Sequence, residues 1–188
     1  MRRTLLVLVL GLLACAAGPG ARADDKKADD KGAVVDFDGL KSRTPAEWKE
    51  EPAGQFRYAQ FKVPKVKDDA KDAELLVFKG FGGSNKDNIA RWQAQFTPPE
   101  GKKLDDVSKV TEFNVGDAKV TYLDIQGTYK ARNPPNDPKA KEEKFPGYRM
   151  LAVIFEGPKT VYHVKLVGPA ATVEANQKAF EDWIKGFK

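Results

Sequence analysis

The stretch YRMLAVIFEGPKTVYHVKLVGPAATVEANQKAFEDWIKGF (Tyr148–Phe187) decides the predicted fold, because two apolar runs are followed by an amphipathic segment. The runs Tyr148–Phe155 and Val161–Val167 are rich in β-branched and aromatic residues and are separated by Gly157-Pro158, which predicts two consecutive strands. After Gly168-Pro169, apolar residues recur at helical spacing and predict a helix with one apolar face. These residues are Val173, Phe180, Ile184 and Phe187, with Trp183 beside them.

Four further strands are predicted before this stretch. They are Gln55–Val63, Glu74–Phe81, Lys109–Val115 and Lys119–Lys130. The second is a compact apolar run that suits a central strand, and the last two flank Gly116-Asp117, which suits a hairpin turn. The proline-rich segment Arg132–Gly147 is predicted to be a long loop.

A helix is predicted between the second and third of these strands. Ser84 and Asp87 have the spacing of a helix start, and apolar residues then recur at Ile89, Trp92 and Phe96 until Pro98-Pro99. Thr44–Glu47 predicts a short helical turn. Because consecutive strands form hairpins, the sequence predicts an α+β fold: a mainly antiparallel sheet of about six strands with helices packed on it.

The N-terminus predicts export. Met1–Ala23 has a positive Arg2-Arg3 start, a Leu/Val-rich middle and an Ala21-Arg22-Ala23 end, which together are typical of a secretory signal peptide. Its apolar run is interrupted at Gly18-Pro19-Gly20, so no transmembrane segment is expected. An alternative is open, because Leu12-Leu13-Ala14-Cys15 resembles a bacterial lipobox. The predicted location is therefore periplasmic or extracellular, or on a membrane through a lipid anchor at Cys15.

Charge and composition characterise the chain beyond the signal peptide. The 188-residue chain is 41% hydrophobic and 31% charged, which is typical of a folded protein. Residues 24–33 are predicted to be a charged spacer, and residues 34–188 a single domain. Without residues 1–23 the chain carries 29 Lys and Arg against 27 Asp and Glu, so no large basic field attracts nucleic acid. The expected partner is a protein or a small molecule.

The inventory of reactive residues is small. Cys15 is the only cysteine and His163 the only histidine, so disulfides, cysteine-ligated zinc and sites with two histidine ligands are excluded after cleavage. No cofactor, metal site or catalytic residue is predicted. His163 could form a catalytic pair with Asp124 on another strand, although a solvated or core-edge histidine is the favoured interpretation.

Other residues form a candidate binding surface. A glycine-bearing turn precedes the predicted helix and could hold an anion, although it lacks both nucleotide-binding fingerprints and is interpreted first as a helix-entry turn. Arg91 beside Trp92 could bind a carboxylate. The candidate residues are Gly82, Gly83, Ser84, Asn85, Arg91 and His163.

Two segments carry a family resemblance. NIARWQAQF (Asn88–Phe96) and the segment Tyr148–Ile184 resemble small exported bacterial proteins of uncharacterised role. More distantly, most of residues 44–188 resembles the α/β/α-sandwich family typified by the photosystem extrinsic subunit PsbP. This resemblance implies a binding or assembly-support role. The sequence therefore predicts an exported, non-catalytic binding or envelope-support protein of unknown ligand, and the alternative is a hydrolase that uses carboxylates or the His163/Asp124 pair.

The cleavage site gives a first testable prediction. Intact-mass analysis of the exported protein is expected to show Asp24 as its first residue, and a Cys15→Ser variant is expected to be processed in the same way. A lipid-modified Cys15 at the new N-terminus would contradict cleavage after Ala23 and place the protein on a membrane.

Overall fold

The structure, a computed structural model, describes residues 31–132 and 139–188. The predicted signal peptide, Cys15 and most of the predicted spacer lie outside the described residues. The strands of the described part are β1 (Val34–Phe37), β2 (Leu40–Arg43), β3 (Lys49–Glu51), β4 (Ala59–Val63), β5 (Ala73–Lys79), β6 (Phe96–Thr97), β7 (Ser108–Val115), β8 (Ala118–Arg132), β9 (Glu142–Glu156) and β10 (Val161–Pro169). The α-helices are α1 (Asn85–Gln93) and α2 (Ala170–Lys185), and a short 3₁₀ helix spans Leu104–Asp106. None of these helices combines the length and apolar character that crossing a membrane requires.

Eight strands form one antiparallel sheet. Its order is β3-β4-β5-β10-β9-β8-β6, with β7 also paired to β8, while β1 and β2 form a separate two-stranded sheet. The α+β class with a mainly antiparallel sheet is confirmed. The expected number of about six strands is wrong, because the described residues form ten. Short strands such as β3 and β6 have too few residues for a recognisable alternation and form only where a longer strand pairs with them.

The predicted loop Arg132–Gly147 is another correction. β9 begins at Glu142, and its Phe145 pairs with Tyr129 of β8. The register of this pair shifts next to Gly127, where the two strands have unequal numbers of residues. A β-bulge of this kind accommodates a proline without breaking the sheet, which explains why Pro146 lies inside a strand.

The short turn predicted before β3 is present. Residues 44–47 make a single turn in which the Trp48 amide donates to the Pro45 carbonyl, at 3.2 Å, and no helix follows. The indole of Trp48 instead packs in the core beside Trp183, with ring centroids 6.0 Å apart.

The two helices cover opposite faces of the sheet. On the α2 face, the predicted stripe of α2 packs against alternate residues of β4, β5, β9 and β10. On the α1 face, a second cluster contains Ile89, Trp92 and Phe96 and packs against β8 and β9. Both predicted helix faces are therefore confirmed as core elements. β10 lies between the two clusters, with Val164 directed to the α2 face and Val167 to the α1 face.

A charged loop closes the N-terminus of α2. The helix begins after Pro169, which has no side-chain hydrogen bond to offer. Asp69, from the loop between β4 and β5, supplies the missing acceptor, because its Oδ2 lies 2.9 Å from the backbone nitrogen of Thr172. Asp69 therefore acts as a helix cap that the sequence pattern alone did not reveal.

The α2 face is expected to supply most of the stability. Phe180 is fully buried, and truncating a buried aromatic residue of this size typically costs about 3 to 5 kcal/mol. Phe180→Ala should lower the free energy of unfolding by that amount in chemical denaturation. Lys178→Ala on the exposed side of the same helix should stay within about 0.5 kcal/mol of the parent protein. Equal stabilities of the two variants would contradict the placement of α2.

Candidate functional site

Two basic side chains lie on the central strand where only apolar residues would be expected. His163 and Lys165 of β10 are only 3% and 9% exposed, respectively, and both lie on the α1 face. The neighbouring strands place apolar residues on both sides of each: Ile154 and Phe78 beside His163, Ala152 and Leu76 beside Lys165. A strand buried on both faces normally carries apolar residues throughout, so these two side chains need an explanation.

His163 has aromatic neighbours but no hydrogen-bond partner. Its ring meets those of Trp92 and Phe81 edge-on, with centroids 5.8 Å and 6.3 Å away. Within the described residues, neither ring nitrogen has a hydrogen-bond partner. Burial first, and then the positive charges of Arg91 and Lys165, lower the pKa of His163 to about 4. The imidazole is therefore neutral at pH 7, with one donor and one acceptor unused.

Lys165 is a buried cation. Its Nζ lies 5.8 Å from the centroid of the Phe78 ring, and the ammonium forms no hydrogen bond or ion pair with the described residues. Burial, followed by the charges of Arg91 and Arg57, lowers the pKa of Lys165 to about 8. At pH 7 most Lys165 side chains still carry their proton. The side chain of Lys165 is therefore charged, largely buried and without an acidic partner in the described residues, an arrangement that lowers stability.

Two arginines belong to this group because their positive charges act on Lys165, and the charge of Arg91 also acts on His163. We call Arg57, Arg91, His163 and Lys165 the basic cluster. Arg91 is exposed on α1 and donates a hydrogen bond to the side-chain oxygen of Asn88. Arg57, just before β4, donates to the side-chain oxygen of Gln60. Both acceptors are neutral amides, so these contacts position the guanidinium groups without neutralising their charge.

The glycine-bearing turn serves the start of α1. Ser84 Oγ accepts a hydrogen bond from the Asp87 backbone nitrogen at 3.1 Å and donates one to the Asp87 carboxylate at 2.7 Å. Asn85 Nδ2 lies 2.8 Å from a carboxylate oxygen of Glu156. The side-chain amide nitrogen of Asn88 lies 3.1 to 3.5 Å from the carbonyl oxygens of Gly82, Gly83 and Ser84, to which it donates. These contacts match the helix-entry interpretation of the turn.

The structure separates His163 from Asp124. Asp124 pairs with Leu151, a residue of the α2-face cluster, whereas His163 lies on the α1 face. The Asp124 carboxylate is instead bound by Arg149, whose Nε and Nη2 lie 2.8 Å and 2.6 Å from its two oxygens. The suggested His163/Asp124 catalytic pair is therefore wrong. The two residues lie on separate strands, and sequence alternation within a strand does not give the register between strands.

The basic cluster is only partly visible in the sequence. Arg91 and His163 were candidate residues, and the structure brings them into one neighbourhood. The sequence analysis does not single out Lys165 or Arg57. Lys165 is two positions after His163 in an otherwise apolar strand, so alternation places both side chains on the same face. The sequence alone could therefore have indicated Lys165. Arg57 is separated from Lys165 by more than 100 positions, so only the pairing of β4, β5 and β10 brings them together.

Two surface depressions lie elsewhere. One, of about 350 Å³, is lined mainly by charged residues of both signs from β3, β4 and the loop before β5. The other, of about 520 Å³, includes the Asp124–Arg149 pair. Within residues 31–132 and 139–188, no group of three or more His, Cys, Asp or Glu residues is arranged to hold a metal ion.

Comparisons with known proteins do not assign a function to this chain. No protein-family model matches the chain, and no curated protein matches it. Among solved structures, a Pseudomonas aeruginosa protein of unknown function, described as a candidate regulator, is similar to this chain. The two are 12% identical, the similarity covers 81% of this chain and 93% of that chain, and the TM-score is 0.42. A likeness at this level carries no argument about function.

The basic cluster predicts a gain in stability when its charge is removed. Lys165→Met keeps the length of the side chain and removes the buried charge, so the free energy of unfolding at pH 7 should rise by roughly 1 to 3 kcal/mol. Lys119→Met, at an exposed strand position, should change it by less than about 0.5 kcal/mol. A less stable Lys165→Met protein at pH 7 would contradict the unpartnered charge.

The pH dependence of that gain results from the lowered pKa of Lys165. Its value of about 8 in the folded protein lies below the ordinary value of 10.5, so between these values the unfolded chain binds more protons. The stability contribution of Lys165 therefore improves as the pH rises from 8 to 10.5. Denaturation of parent and variant across this range should show the advantage of Lys165→Met shrinking.

Proposed function

We propose that this protein is an exported, non-catalytic binding protein whose ligand contacts the basic cluster on the α1 face. The observation that carries the proposal is Lys165, whose side chain is largely buried between apolar strand neighbours while its ammonium has no hydrogen bond or ion pair with the described residues. Such a group lowers stability, and an apolar residue would complete the core better. Residues that break the packing rules at a cost in stability are characteristic of functional sites.

The neighbourhood of Lys165 supports access for a ligand. Phe81 is 41% exposed and lies over His163, in the loop between β5 and α1. Gly80 and Gly83 flank this loop with positive φ angles of 73° and 99°, a conformation that other residues rarely adopt. A shift of the Phe81 side chain would open the buried imidazole, and the exposed Arg91 marks the same rim.

The residues of the site favour binding over catalysis. A histidine that acts as a general base is normally held by a hydrogen bond to an orienting group, and His163 has none from the described residues. Its lowered pKa also makes it a weak base. No observation in the described part of the chain favours the alternative of a carboxylate hydrolase.

Export and the role in the cell envelope rest on the sequence. The signal-peptide pattern of residues 1–23 supports an exported protein, and the resemblance to the PsbP family supports a binding or assembly-support role. The lipobox at Cys15 keeps a membrane-anchored form as the alternative. A binding site on the folded domain is compatible with either route, because the predicted spacer separates it from the processed N-terminus.

NMR spectroscopy of the exported protein tests where ligands bind. Benzoate, benzyl alcohol and benzylamine represent anionic, neutral and cationic probes of similar size. At least one of them is expected to shift the amide signals of Phe81, Arg91, His163 and Lys165, while signals of α2 stay unchanged. If none of the three shifts signals on the α1 face, or if shifts occur only on α2, the proposed function is wrong.

A further inference from the structure

We infer that the ligand of the basic cluster is an anion with a flat apolar body: its charged group is held by Lys165 and the two arginines, and its body packs on Phe78 and Phe81. This inference rests on the proposed function and adds the chemical class of the ligand. A small aromatic carboxylate represents that class.

The charge of the ligand is inferred from what the basic cluster lacks. The charges that act on Lys165 are those of Arg91 and Arg57, and both are positive. Two carboxylates lie nearby on the same face: Glu51 is engaged by Gln60 and Lys62, and Glu74, in register with Val167, is exposed and forms no ion pair with Lys165. An anion would supply the missing counter-charge, and in a partly buried site this attraction is much stronger than in water.

Unused hydrogen-bond donors point to a carboxylate-like group. The Lys165 ammonium has three donors, none of which is used by a described residue. Arg57 and Arg91 each spend one terminal nitrogen on a neutral amide oxygen, which leaves other N–H groups of each guanidinium available. Lysine and arginine donors around one position match the several lone pairs of a carboxylate or phosphate.

The apolar body is inferred from the rings around these donors. The Phe78 ring lies beneath Lys165, and Phe81 meets Phe78 edge-on at 5.4 Å. A hydrated inorganic anion would leave these rings unused, whereas a ring-bearing carboxylate could pack against them while its charge meets Lys165.

Titrations with four probes test both halves of the inference. Benzoate carries the charge and the ring, benzyl alcohol only the ring, and acetate and phosphate only the charge. Followed by amide shifts of the exported protein, benzoate should bind at least about tenfold more tightly than each of the others. Its affinity should fall as sodium chloride is raised, because salt screens the attraction.

Two substitutions connect the selectivity to the basic cluster. Lys165→Met, which is expected to fold, should weaken benzoate binding by about tenfold or more and abolish the preference over benzyl alcohol. Arg91→Met should weaken benzoate binding by a smaller factor. Lys119→Met removes an exposed positive charge at a strand position outside the cluster and should leave the affinity unchanged.

The outcomes separate this inference from the proposed function. Benzyl alcohol binding as tightly as benzoate would overturn the anionic class and leave a binding site at the same face. Acetate or phosphate binding as tightly as benzoate would overturn the apolar body. Benzoate shifts on the α1 face that persist in Lys165→Met with unchanged affinity would overturn the role of the ammonium. No shift on that face with any probe would remove both proposals.

Discussion

The burial of β10 on both faces is the constraint on which the rest of the structure depends. Every side chain from Tyr162 to Val167 is buried, so the strand offers no solvated position to a polar group. A central strand under these conditions is expected to be apolar throughout. His163 and Lys165 depart from that pattern on one face only. The polar residues His163 and Lys165 therefore lie at the buried centre of the sheet, and they are not part of the charged surface around its edge.

The two faces divide stability and binding between them. On the α2 face, the Phe37 ring stacks between Tyr162 and Phe187, with centroid distances of 4.0 Å and 4.1 Å, and ties the β1–β2 hairpin to the sheet. This extensive core supports the fold without disulfides in the described residues. The α1 face is covered by a helix of only nine residues. A buried ammonium is tolerated there because packing on the opposite face offsets its cost.

Sequence reasoning succeeds where a pattern is long and local. The stripe of α2 and the two faces of β10 can be derived from periodicity alone, as can the helix that carries Trp92. Sequence reasoning fails where pairing with another strand determines the local structure. Strand β6 has two residues and exists because it pairs with β8, and Pro146 lies in a strand because a bulge accepts it. The His163/Asp124 pair fails for the same reason, since the faces of two strands become comparable only once their register is known.

Direct titration of the Lys165 side chain by NMR spectroscopy tests the central claim, that β10 carries an unneutralised buried ammonium whose missing partner is an anion. The account predicts a pKa near the value of about 8 that burial and the two arginines impose, and a rise in this pKa when benzoate is added, because a bound anion favours the charged form. A pKa close to the ordinary 10.5 in the free protein, unchanged by benzoate, would show a solvated or already neutralised lysine and contradict the account.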